Sequence, residues 1–127
     1  MAPAAASILV VDDDPAIVDI ITQVLAAEGY VTRACRNGLE ALDVLNEWRP
    51  DLILLDLWMP KMDGWEFRRR QLMLDVARDV PVVLLSAGGR LEEHAQTLDA
   101  AAAIPKPFDL TDLLSVVDAV LNHPNPR

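Results

Sequence analysis

Cysteine occurs once in these 127 residues, tyrosine once and histidine twice, and 11 Lys and Arg stand against 20 Asp and Glu. One thiol makes no internal disulfide, so stability must come from a packed core. Cys35 fits a reducing compartment and reads as a small buried hydrophobe, because His94 offers it no paired context for catalysis. The formal net charge of −9 argues against a nucleic-acid surface, which needs a basic stripe to hold phosphates. Arg68-Arg69-Arg70 is the one basic run, and on a helix its members point roughly 100° apart, so it reads as a solvated face. There is no Gly-x-Gly-x-x-Gly or Walker-type run, which removes the common nucleotide-binding motifs. No apolar stretch approaches the roughly 20 residues of a membrane span, and Met1 to Ala6 has neither the basic start nor the apolar core of a signal peptide. The expectation is a soluble cytoplasmic protein of one domain, with a leader over 1–6, the domain over 7–122 and a short tail over 123–127.

What is present is a series of short apolar runs, each closed by a residue that can do chemistry. Ser7 to Val11 reads as a strand and runs into Asp12-Asp13-Asp14. Leu52 to Leu55, four apolar residues bounded by Asp51, runs into Asp56 and then a loop broken by Pro60 and Gly64. Pro81 to Leu85 runs into Ser86. Lys106 stands between two prolines after Ile104. Tyr30 to Cys35 is a more polar strand, suited to a sheet edge.

Helical patterns separate these runs. Asp14-Pro15 supplies a cap and a first-turn proline, and Ile17, Ile20, Ile21, Val24 and Leu25 follow as a stripe up to Gly29. Asn37-Gly38 opens a second helix that runs through Trp48 and ends before Pro50. Trp65, Leu72, Met73 and Val76 mark a third. Arg90 to Leu98, opened by Gly88-Gly89, is a fourth whose apolar face is thin, which predicts easy movement. Leu110 to Leu121 is the last, with its apolar residues on one side. Such alternation implies an α/β fold with a parallel, doubly wound sheet, and the flavodoxin-like strand order 2-1-3-4-5 is the natural topology.

In a parallel sheet of this kind, ligands gather at the carboxyl ends of the strands. That rim would hold Asp12, Asp13, Asp56, Ser86 and Lys106. Two carboxylates about 4 Å apart repel by roughly 4 kcal/mol at an effective dielectric of 20, so a cation belongs there. Hard oxygen donors with room for water suit Mg²⁺.

The same residues resemble the receiver domain of two-component response regulators, over about Ser7 to Leu121. The order is an acidic pair after the first strand, then Asp56 followed by Met59-Pro60 and Asp63-Gly64, then Ser86, then Lys106-Pro107. The resemblance places the fifth strand at Ala100 to Ile104, where four alanines make a poor strand by propensity. It implies Asp56 as phospho-acceptor, with Asp13, Asp56 and the backbone carbonyl of Trp58 as direct Mg²⁺ ligands and Asp12 as a ligand through water. It implies that Ser86 and Lys106 contact the phosphoryl oxygens and that the Lys106-Pro107 bond is cis, although X-Pro bonds by themselves favour trans. The implied partners are a histidine kinase or phosphotransfer protein as donor and a downstream protein target. The role is that of a signalling domain, assisting only its own phosphorylation and dephosphorylation. One departure stands out: Ala103 occupies the position, three before the lysine, where such domains carry a mobile aromatic residue.

Two other readings compete. A haloacid-dehalogenase-type phosphohydrolase would use Asp12 as nucleophile in an Asp-x-Asp motif, but Ala16 stands where that motif takes Thr or Val, no late acidic motif follows Pro81 to Leu85, and Asp56 is left unexplained. A phosphorylation-independent binding module built on the same fold would not need the complete set of acids, Ser86 and Lys106.

Overall fold

The computed structural model describes residues 5–122; the expected tail and most of the expected leader lie outside the described residues. Its elements are β1 (Ser7–Val11), α1 (Pro15–Ala27), β2 (Val31–Cys35), α2 (Gly38–Leu45), β3 (Leu52–Asp56), α3 (Gly64–Gln71), β4 (Val82–Ser86), α4 (Leu91–Thr97), β5 (Ala102–Pro105) and α5 (Leu110–Asn122). The five strands pair in parallel in the order β2-β1-β3-β4-β5, the doubly wound topology the sequence implies.

Residues of each strand alternate between the two faces of the sheet. Ile8, Val10, Leu52, Leu54, Val83 and Leu85 pack with Ile21 and Leu25 of α1 and Leu113 and Val117 of α5. Leu9, Val11, Ile53, Leu55, Val82 and Leu84 pack on the other face with Ala41 and Leu45 of α2 and Phe67 of α3. The central strands β3 and β4 are buried along their whole length, which is why they read as continuous apolar runs. Edge strand β2 is buried only at Cys35.

Several expected elements come out shorter. The second helix ends at Leu45 rather than Trp48, because Asn46 and Glu47 close tighter turns onto Asp43 and Val44. The third ends at Gln71. Its side-chain Nε2 donates to the carbonyls of Ala77 (2.9 Å) and Val80 (3.1 Å) and folds the following chain back. Leu72, Met73 and Val76 therefore lie beyond α3 and are exposed, as is Ile20 on α1. The thin apolar face expected of the fourth helix is present: α4 has no buried residue.

The arginine run is corrected at one position. Gly64, Phe67, Arg68 and Gln71 form the buried stripe of α3, so Arg68 faces inward while Arg69 and Arg70 pair with Glu66 at the surface. Arg68 Nε and Nη2 donate to the carbonyls of Leu98 and Asp99, each at 2.9 Å, and Nη1 donates to Gln71 Oε1 at 2.7 Å. The guanidinium thereby closes off the C-terminal end of α4. No helix of the described residues is long and apolar enough to cross a membrane.

Candidate functional site

Four local devices bring the site together at the carboxyl rim. Asp12 leaves β1 with its N–H bonded to the carbonyl of Cys35 (3.1 Å), and its Oδ1 accepts from the N–H of Asp14 (2.9 Å). Asp14 in turn caps α1, accepting from the N–H groups of Ala16 and Ile17, so the acidic turn divides into two site residues and one cap. Asp56 closes β3. Behind it, Gly64 lets α3 begin hard against the strand: a Cβ there would meet the carbonyl oxygen of Asp56 at 2.5 Å and Cα of Leu57 at 2.8 Å. Ser86 closes β4, and its carbonyl accepts the N–H of Lys106 at 3.0 Å, fixing the lysine next to it. The Lys106-Pro107 bond is cis, as the resemblance implied.

One carboxylate oxygen from each of Asp12, Asp13 and Asp56 can be chosen so that the three lie within 4.8 Å of one another. Lys106 Nζ reaches between two of them, 2.7 Å from Asp12 Oδ2 and 3.6 Å from Asp56 Oδ2. Asp12 and Asp56 are buried and Asp13 is exposed, so the cluster opens to solvent on the Asp13 side. Burial, then the neighbouring Asp12, push the Asp56 carboxyl up to about 6, although Lys106 and the Trp58 N–H (3.3 Å to Oδ1) act the other way. Burial alone would lower the Lys106 ammonium, but Asp12 and Asp56 outweigh it and raise it. One ammonium faces three carboxylates. The excess negative charge and the hard oxygen donors are what a divalent cation such as Mg²⁺ fits.

Ser86 is buried at the rim, with Oγ donating to the carbonyl of Ala87 (3.2 Å). Trp58 is largely exposed, and its indole meets Trp65 edge-on at 6.5 Å. Trp65 meets His94 of α4 at 4.6 Å with rings 83° apart. Cys35 is a buried free thiol, pushed up to about 11 mainly by burial, as expected of a packing residue. The sequence reading missed the His94 contact and the inward arginine. Spacing carried a signal for the second, since 64, 67, 68 and 71 is a core-facing repeat. No local pattern announces a ring contact between α3 and α4.

The family model for the response regulator receiver domain matches residues 8–118. Among curated proteins, the response regulator MprA of Mycobacterium sp. strain KMS is 38% identical over 121 residues, covering 94% of this chain and 52% of that protein. MprA of Mycobacterium tuberculosis is likewise 38% identical over 122 residues. The chain thus spans about half the length of the curated relatives it matches. Among solved structures, the receiver domain of a signal transduction histidine kinase from Syntrophus aciditrophicus superposes with a TM-score of 0.84 at 34% identity, covering 97% of this chain and 95% of that one. The chemotaxis response regulator CheY4 of Vibrio cholerae gives 0.86 at 29%, covering 92% and 99%. A receiver domain of a Pseudomonas aeruginosa sensor histidine kinase, 26% identical with a TM-score of 0.85 and coverage of 94% and 99%, carries a magnesium ion in its active-site cleft. The family match leaves no place for the haloacid-dehalogenase reading. A sheet ordered 2-1-3-4-5, an acid cluster at its carboxyl rim and a family match over most of the length agree: the chain belongs to the response regulator receiver family of two-component signalling systems.

Proposed function

We propose that Asp56 accepts a phosphoryl group from a histidine kinase or phosphotransfer protein, and that the resulting change is read by a separate protein surface. The observation that carries this reading is the position of Asp56, at the end of β3 with Lys106 Nζ 3.6 Å away and two further carboxylates beside it. A carboxylate oxygen of Asp56 attacks phosphorus, the bond from phosphorus to the donor nitrogen breaks, and its electron pair returns to the donor imidazole. Asp56 must be ionised to attack, and with its carboxyl near 6 it is mostly so at neutral pH. Lys106, released from Asp56 as the negative charge moves onto the phosphoryl oxygens, is placed to follow it while keeping its bond to Asp12. Ser86 would turn its hydroxyl from the Ala87 carbonyl to a phosphoryl oxygen. Asp13, Asp56 and the Trp58 carbonyl are the groups that would hold Mg²⁺ directly, with Asp12 behind a water. Mg²⁺ when bound neutralises charge on the transferring group.

Intact-mass measurement after incubation with a small phosphodonor and Mg²⁺ tests the assignment. One phosphoryl group is expected on the unaltered chain and none on Asp56→Asn or in the presence of a chelator. Labelling that persists on Asp56→Asn would move the acceptor elsewhere, and no labelling of either chain would favour a binding module that works without phosphorylation.

A further inference from the structure

Three rings join the acceptor loop to α4. Trp58 is bonded at its backbone to Asp56, the N–H donating to Oδ1 at 3.3 Å, and its indole meets Trp65 of α3 at 6.5 Å with the planes 61° apart. Trp65 meets His94 in the middle of α4 at 4.6 Å and 83°. Edge-on arrangements of this kind are directional, so displacement of one ring alters the contact of the next.

Helix α4 is built to respond to such a push. It is seven residues long, with no buried side chain. At its N-terminal end Arg90 has φ +66° and provides no side-chain cap, and Gly88 before it has φ +101°. Its C-terminal end is held, because the carbonyls of Leu98 and Asp99 both accept from the buried Arg68 guanidinium. A short helix clamped by hydrogen bonds at one end, held at the other only by half-buried Leu91, and touched at its middle is a lever. On β5, the alternative route from the rim to this face, Ala103 offers only a methyl group.

Resting on the acceptor role of Asp56, we infer that Trp65 and His94 are positioning residues that carry the state of Asp56 to α4, which swings about the Arg68 clamp. A phosphoryl group on Asp56 changes the acceptor available to the Trp58 N–H and so shifts the Trp58 backbone. The indole moves against Trp65, and Trp65 against His94. The surface that changes is the outward face of α4 with the Gly88-Gly89 turn, leaving the Leu98 and Asp99 end in place.

The test is hydrogen exchange over residues 87–98, with and without a small phosphodonor and Mg²⁺, on the unaltered chain, Trp65→Leu, His94→Ala and His94→Phe. Intact mass is followed in parallel. All four chains are expected to take up one phosphoryl group, because none of the substitutions touches the acid cluster. The exchange change in 87–98 is expected to be lost in Trp65→Leu and His94→Ala and kept in His94→Phe, which retains a ring, while exchange of this segment without the phosphodonor stays the same in all four chains; a purely structural role would instead alter it in the unphosphorylated Trp65→Leu and His94→Ala chains. Phosphorylation with an unaltered response in both His94→Ala and Trp65→Leu overturns the relay and leaves the acceptor role standing. Failure of the unaltered chain to gain mass overturns the acceptor role, and the relay with it.

Discussion

Asp56 is held at a cost, and its titration makes that cost measurable. Its carboxyl is raised from 3.8 to about 6 by burial and by Asp12, so the folded chain binds a proton there more tightly than the unfolded chain does. The contribution to stability is therefore fully present below the unfolded value and is lost as pH rises through about 6. Part of the site is open to solvent, so the effect is discounted to about 1 kcal/mol. Asn at this position has no proton to lose. The metal-free Asp56→Asn chain is expected to melt higher than the unaltered one at neutral pH, with the gap closing toward about pH 4. Superimposable melting profiles would remove Asp56 from this account. Asp56, Asp12, Asp13, Ser86 and Lys106 were legible in the sequence because each closes an apolar run or stands beside a proline, and such punctuation survives in one dimension. Arg68 was legible only through the 64, 67, 68, 71 spacing, because a run of three arginines looks uniform until the helix separates their directions.

At the scale of elements, α3 and α4 depend on each other through that buried cation as well as through the Trp65–His94 contact. Burial pulls the Arg68 guanidinium below its ordinary value, with Asp99 acting against this, and its donors are used on Leu98, Asp99 and Gln71. Arg68→Met keeps much of the volume but leaves the Leu98 and Asp99 carbonyls without their donor, which should destabilise the chain by about 3 kcal/mol. Amide exchange should quicken first at the end of α4. Arg69→Met and Arg70→Met, whose partners are exposed ion pairs with Glu66, are expected to leave the melting temperature essentially unchanged. Equal effects at all three positions, read by thermal melting, would mean that the inward contacts contribute no more than the exposed ion pairs. The second and third helices were read too long for a related reason. Trp48, Leu72, Met73 and Val76 continue an apolar pattern, but the Gln71 bonds to Ala77 and Val80 end the third helix from a distance, and such bonds leave no trace in local spacing.

For the whole molecule, the doubly wound sheet was legible because β1, β3 and β4 are buried on both faces and their residues sort onto the two helical layers by parity alone. Strand β5 was not legible from propensity. Ala102 and Ala103 are strand residues because Val83 and Leu84 of β4 lie opposite them, a tertiary cause that overrides a weak local preference. The finished fold concentrates charge: a chain of net charge −9 brings three carboxylates to one end of the sheet against a single ammonium. A cation that binds only this assembled cluster must stabilise the whole fold by linkage, by about 2.7 kcal/mol at a hundredfold excess over its dissociation constant. Mg²⁺ is therefore expected to raise the melting temperature in a saturable way, whereas NaCl at matched ionic strength, acting only by screening, should do less and without saturation. Asp13 is the exposed member of the cluster and the one not bonded to Lys106, so Asp13→Asn should fold normally and lose most of the Mg²⁺-dependent gain. A melting temperature indifferent to Mg²⁺, with no heat of binding in calorimetry, would show that Lys106 alone suffices to balance the acids.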